Sequence, residues 1–269
     1  MVREPGYRKK INQKQLELLH VLYRFRFATT DQMAAYLGKP TGTRIYRRIM
    51  TLVEQEYVGR NFEPAFRKRD MHATYYLRAK GIAALKDRQD KTYDPKVLHN
   101  IYGDAGASEQ FIADSITIFD TYTQLKAYYG DKLHFFTKSD LAGFEHGHFP
   151  KPLPDAYIRL NTGREGKQFF FDVHTVEQPF FKLPKRIKEY VAHADSRIWQ
   201  ETGEELPKIL AICDKASTQK RLQKNITKQK HTDLRFFSAI KGALNDLSSD
   251  TNVWHPAAKL SDITSLEAA

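Results

Sequence analysis

The residues of this chain best placed to do chemistry are two aspartates and a histidine that flank one short turn. Pro154-Asp155 opens an apolar run over 155–160, and Gln168-Phe169-Phe170-Phe171-Asp172-Val173-His174 forms a second. Between them, Asn161-Thr162-Gly163-Arg164-Glu165-Gly166 has the composition of a tight turn. A hairpin whose turn centres between Gly163 and Arg164 sets Asp155 directly opposite Asp172. Opposed side chains on adjacent strands lie about 4.5–5.5 Å apart at Cβ, a spacing at which two carboxylates can share a divalent metal. His174 lies two residues beyond Asp172 and so on the same strand face. An imidazole there can orient water or contact phosphate beside a metal that stabilises a leaving oxygen.

The elements needed to hold this hairpin are legible on either side of it. The pattern predicts a helix over about 106–128, a strand over 132–137 and a Gly/His/Pro loop over 141–153. After the hairpin come a long helix over about 182–201, a strand over 209–213, a helix over about 217–229 and a strand over 234–239. This is an α/β order with a hairpin at its centre. Cys213, the only cysteine, ends the run Ile209-Leu210-Ala211-Ile212-Cys213 and reads as a buried strand thiol. The acid- and serine-containing tail after Trp254 is expected to be loosely ordered.

The first third of the chain has a different character. Of 43 basic and 32 acidic residues, the first 95 positions hold 20 and 10, so nearly all of the net charge of +11 lies there. A basic excess confined to one segment is the footprint of a surface that displaces counterions from phosphates. Leu16, Leu19, Leu22 and Tyr23 make a helical stripe, and Thr29-Thr30-Asp31-Gln32 caps a short helix over 32–37. A turn over 38–42 leads to a third helix over 43–56, with Ile45, Ile49, Leu52 and Val53 facing inward. Arg44, Arg47 and Arg48 occupy its outward face, preceded by Lys39, Thr41 and Thr43, as expected of a recognition helix entering a major groove. Strands over 57–60, ending in Arg60, and 73–77 complete a winged helix, and the loop between them carries Arg67, Lys68 and Arg69 as a wing. The alternative for these charges is a merely solvated face. The charged run over 86–98, with Pro95, is expected to hold the domain linker.

Bulk properties exclude several classes. A 41% hydrophobic content with 12% aromatics belongs to a folded chain. One cysteine excludes an intrachain disulfide and a thiolate zinc cluster. No apolar run reaches the roughly 18 residues of a membrane span, and the first residues lack the apolar stretch of a signal peptide. A cytoplasmic protein without membrane partners, or a nuclear one in a host with a nucleus, is therefore expected. No glycine-rich phosphate loop is present to support nucleotide hydrolysis. Glu145-His146-Gly147-His148 offers a His-x-His chelate or simply loop residues, and Tyr190 offers a strand-transfer nucleophile or a packing group.

Pro154-Asp155, followed seventeen residues later by Asp172-Val173-His174, resembles the PD-(D/E)xK motif of restriction-endonuclease-like nucleases, whose αβββαβ order is also matched. A winged helix followed by this core resembles the replication-relaxation family, which includes plasmid mobilisation relaxases of the MOBC class. The resemblance spans about residues 12–240, including Leu98-His99 and Lys185-Arg186-Ile187-Lys188-Glu189-Tyr190. It implies an α/β (α+β) chain: winged helix-turn-helix over 1–90, linker over 91–98, nuclease-like domain over 99–245 and tail over 246–269. It also implies a site-specific protein of a plasmid or mobile element that nicks origin DNA, with Asp155 and Asp172 holding Mg²⁺ or Mn²⁺. Double-stranded DNA and relaxosome proteins are the implied partners, with a homodimer one possible state. His174 stands where the motif usually has lysine, and Asp172 where glutamate is more frequent. A migrated cation is sought in Lys185, Arg186 or Lys188, and a further acid in Glu109. These departures leave open a non-catalytic accessory factor, or a transcriptional or replication regulator, with a degenerate nuclease fold.

Overall fold

The computed structural model describes residues 11–40, 42–62, 72–142, 147–161, 166–229, 234–247 and 252–269. The chain divides into two compact units, Met1–Ala107 and Ser108–Ala269.

The first unit follows the expected order of three helices, two strands and a helix. These are α1 (Gln13–Phe25), α2 (Thr30–Tyr36), α3 (Thr43–Glu54), β1 (Val58–Asn61), β2 (Thr74–Leu77) and α4 (Ala79–Lys86). α1 starts at Asn12 and α2 at Thr29, each in a reciprocal capping box with the glutamine three residues on, Gln15 or Gln32. Such boxes satisfy backbone N–H groups that the first turn leaves free. α1 packs against α3, and Leu19 and Leu22 of α1 and Ile45, Ile49 and Leu52 of α3 are fully or nearly fully buried. β1 and β2 pair antiparallel from Val58 opposite Leu77 to Asn61 opposite Thr74. The loop with Arg67, Lys68 and Arg69 lies outside the described residues, as does Thr41.

The segment expected as a linker instead belongs to this unit. Tyr93 stacks edge-on against Tyr23 at 4.8 Å between centroids, and the Tyr23 hydroxyl accepts from the Asp94 N–H at 3.1 Å. Asp94 then caps α5 (Pro95–Ile101), which buries Val97, Leu98 and Ile101, so Leu98 closes the first unit rather than opening the second. Arg26 grips Asp104 and the Asn100 carbonyl. The charges misled because Arg88, inside the charged run, is nearly buried and paired with Asp90.

The second unit is a mixed α/β layer structure: α6 (Glu109–Tyr129), β3 (Leu133–Thr137), α7 (Lys138–Leu141), β4 (Ala156–Leu160), β5 (Lys167–His174), α8 (Lys182–Asp195), β6 (Lys208–Cys213), α9 (Ala216–Ile226), β7 (Phe236–Ile240) and β8 (His255–Pro256). Setting aside the single turn of α7, the order through β6 is the αβββαβ expected. The sheet runs β3-β4-β5-β6-β7-β8, antiparallel from β3 to β5, parallel from β5 to β7 and antiparallel again at β8. β5 is central, and its last six residues, Phe169–His174, are all buried, as in a strand covered on both faces. Phe169, Phe171 and Val173 alternate with Phe170, Asp172 and His174. Phe171 meets Phe135 of β3 on one face, and Phe170 stacks on Tyr190 of α8 on the other. Cys213 is fully buried in β6, which pushes its thiol up to about 12.

The tail is packed rather than loose. β8 adds to the edge of β7, with Ser238 opposite His255, and a bridge joins Trp254 to Thr264. Trp254, Ala257 and Leu266 are essentially inaccessible to solvent. Sparse apolar residues among acids and serines hide this in the sequence, because each anchor is separated from the next by polar chain.

Candidate functional site

The hairpin register is the expected one. Ala156 opposes Phe171 and Leu160 opposes Lys167, which carries Asp155 opposite Asp172 just beyond the ladder's end. The two aspartates and His174 line one cleft of about 340 Å³, so the structure brings these three predicted residues together. The same cleft is walled by Lys138 of α7 and by Lys182, Lys185 and Arg186 of α8.

α8 is positioned by Leu183, Ile187 and Tyr190, three buried residues at helical spacing against the sheet. Arg186 lies one turn before Tyr190, and both reach Asp172. Arg186 Nε donates to Asp172 Oδ2 at 2.7 Å and Nη2 to Oδ1 at 3.2 Å. The Tyr190 hydroxyl donates to Oδ2 at 2.7 Å, and the Asp155 N–H donates to Oδ1 at 3.2 Å. Arg186 is itself fixed by the Pro152 carbonyl at 2.7 Å and lies over the Tyr190 ring at 4.3 Å. Burial disfavours the Asp172 charge, yet the Arg186 guanidinium, with help from His174 and Tyr190, holds its carboxyl below the usual carboxylate range. Burial and the neighbouring Asp172 charge push Tyr190 well above its ordinary value. A buried phenol donating to a carboxylate is a poor nucleophile, and Tyr190 is placed as a core side chain stacked on Phe170 whose hydroxyl braces Asp172.

Asp155 is more open. Its Oδ2 accepts from the Val173 N–H at 3.1 Å and its Oδ1 from Lys138 Nζ at 3.3 Å. A carboxylate offers about four acceptor positions. All four on Asp172 are taken by protein donors, whereas Asp155 accepts from two among the described residues. The pair as placed therefore does not fit a shared divalent metal. Among the described residues, no three His, Cys, Asp or Glu side chains converge on a cation position.

Two predicted site residues need correction. The cation that meets the acid is Arg186; Lys185 lines the cleft but points largely to solvent and pairs loosely with Glu189 at 3.9 Å. The acid that α6 turns toward the site is Asp114, not the exposed Glu109 at the helix start. Asp114 accepts from Gln110 at 2.7 Å and from Gln178 at 3.2 Å, and burial with the nearby Asp155 charge raises it above the usual range. Five residues separate Glu109 from Asp114, which puts them on different helix faces. Of the competing motif, His146 lies outside the described residues, and His148 approaches the Ile198 carbonyl at 3.2 Å and Glu201 at 3.7 Å.

His174 is buried at the end of β5. Burial pushes its imidazole below the ordinary value, against the pull of Asp172 and Asp155, with Arg186 adding to the depression. A group neutral when folded but protonated when unfolded stabilises the fold above about pH 6.5, and loses that contribution as pH falls toward its folded value. Thermal unfolding between pH 7.5 and 5 should therefore show a falling midpoint, with a slope of at most about 1.4 kcal/mol per pH unit from this residue. His174→Asn should flatten that slope; an unchanged slope would assign the acid sensitivity elsewhere.

In the first unit, Lys39, Thr43, Arg44 and Arg47 are exposed and Arg48 is half-buried. Arg44 and Arg47 are neighbours on the exposed side of α3, and Arg48, three residues from Ile45 and four from Leu52, sits at the border of the buried face formed by Ile45, Ile49 and Leu52. Tyr46, on the solvent side beside them and 44% exposed, was not picked out by charge counting. Arg60 turns onto Phe62 at 4.4 Å with its Nε buried, which limits its reach outward.

An αβββαβ unit with two opposed acids at its central hairpin, preceded by a basic helical unit, defines the class to which comparison gives a family. The model of the replication-relaxation family matches residues 19–209, and the chain belongs to that family, whose description points to DNA processing. Among solved structures it is similar to the restriction endonuclease FokI, at 11% identity and a TM-score of 0.32, covering 86% of this chain and 42% of that one. FokI bound to DNA gives 11% identity and a TM-score of 0.31, covering 86% and 43%. The chain thus spans less than half the length of these solved chains. No curated protein matches it. No helix among the described residues is long and apolar enough to cross a membrane.

Proposed function

We propose that this protein docks on duplex DNA through the α3 face carrying Arg44, Arg47 and Arg48, as a winged helix does. In this reading the second unit is a nuclease-like cleft that holds DNA phosphates without hydrolysing them through a metal shared by Asp155 and Asp172. The observation that carries the second half is the filling of every acceptor position on Asp172 by Arg186, Tyr190 and the Asp155 N–H. The first half is supported by the exposure of Arg44 and Arg47 on a helix whose opposite face is buried, and by the family's description. Lys39 and Thr43, both exposed, would reach the backbone beside the groove.

A second reading, a site-specific nickase, is favoured by the opposed acids in one cleft, and it requires Arg186 to leave Asp172. The deciding experiment incubates purified protein with supercoiled plasmid carrying its native flanking DNA, in Mg²⁺, Mn²⁺ or EDTA, beside Asp155→Ala. Salt-sensitive binding with no open circles in any metal is expected. Metal-dependent relaxation that disappears in Asp155→Ala would replace the first reading by the second.

A further inference from the structure

The loop joining β5 to α8 is fastened on all sides, yet it presents two bare aromatic rings. Gln178 Nε2 donates to the Val173 carbonyl at 3.1 Å, and the Val176 N–H donates to Asp214 Oδ2 at 3.0 Å. Arg221 Nη2 donates to the Thr175 carbonyl at 3.2 Å. On this fixed frame Phe180 is 74% and Phe181 65% exposed, the highest values among the exposed large hydrophobics. The Arg221 guanidinium lies 5.7 Å from the Phe180 centroid, which steadies that ring from one side. Phe181 lines the cleft of Asp155 and Asp172 together with Lys182 and Lys185, both exposed.

Adjacent rings followed at once by solvent-facing cations match the chemistry of an unpaired nucleic-acid strand. Its bases stack on aromatic faces while its phosphates meet the lysines. A duplex cannot use such rings without unstacking, because its base faces are already covered by neighbours. We infer that Phe180 and Phe181 form a base-stacking platform that receives single-stranded DNA at the mouth of the cleft. The inference rests on the reading of that cleft as a phosphate-holding surface, and it adds the strand state that the cleft prefers.

The test uses the full chain and fluorescently labelled oligo(dT) and duplex probes. Phe180→Ala/Phe181→Ala should weaken oligo(dT) binding by about tenfold for each ring removed, with duplex affinity changed less than about twofold. Both side chains are exposed, so the fold is expected to survive, and unchanged thermal unfolding checks this. Phe180→Trp should keep oligo(dT) affinity and show emission quenched by the oligonucleotide, whereas the native Trp199 and Trp254 are buried. Equal losses for both probes, or no loss and no quenching, would overturn the platform. So would a variant that alters only self-association in sedimentation, which would make the rings a protein contact. If duplex docking through α3 fails instead, wild-type duplex affinity disappears while the oligo(dT) quenching remains.

Discussion

Arg186→Ala is expected to destabilise the second unit by about 3–5 kcal/mol, the cost of leaving a buried carboxylate without its charged partner. Asp172 is 4% exposed and Arg186 holds it through two nitrogens, so the change strips the charged partner from a carboxylate that is almost wholly out of solvent. Removing Tyr190's hydroxyl by Tyr190→Phe takes away only one of four donors and should cost about 1.5–3 kcal/mol, as a hydrogen bond to a charged group does. The double variant Arg186→Ala/Asp172→Ala should be less damaging than the sum of the two single changes, because no charge is then stranded. Denaturant unfolding of the four proteins decides this. If the single changes add, the pair is not coupled, and the argument that Asp172 is a filled structural anchor fails.

Arg44→Ala/Arg47→Ala/Arg48→Ala should reduce duplex affinity by roughly a hundredfold or more, since each well-placed arginine contact is worth about 1–3 kcal/mol. The loss should be accompanied by a shallower salt dependence, about one unit of slope for each phosphate contact removed. Arg44 and Arg47 are exposed, and the helix is held by Ile45, Ile49 and Leu52 on its other side, so the fold should not change. Anisotropy titrations at two salt concentrations measure both effects. Wild-type affinity and slope in the triple variant would move the duplex contact away from α3.

What is legible in the sequence depends on the range over which each signal acts. The hairpin was legible to the residue, because strand period and a turn of fixed composition together set one register. The start of α2 was placed within two residues by the run Thr29-Thr30-Asp31-Gln32, whose first residue is the cap. Which side chain of a helix faces a site is a different matter. Lys185 and Arg186 are neighbours, and only the packing of Leu183, Ile187 and Tyr190 selects the arginine. On α6 the burial pattern that would have chosen Asp114 over Glu109 is blurred by polar residues inside the helix: Ser115, Thr117 and Thr121 are buried and bond back to their own backbone. The unit boundary failed for a related reason, since Tyr23 and Tyr93 recognise each other across seventy residues of chain.

The strand β8 bears on assembly as well as on packing. β7 is parallel to β6, and its outer edge would present a row of unsatisfied N–H and C=O groups to any other extended chain. His255 and Pro256 occupy that edge, and Pro256 brings no N–H of its own with which to recruit a further strand. That edge is therefore covered, beside Phe237 and Ser238, by a short segment made after the rest of the sheet. During synthesis the unit passes through an interval in which its core is complete enough to collapse while its edge is still adhesive. Crowding of nascent chains in that interval, rather than any weakness of the finished fold, is where this protein would be most prone to aggregate.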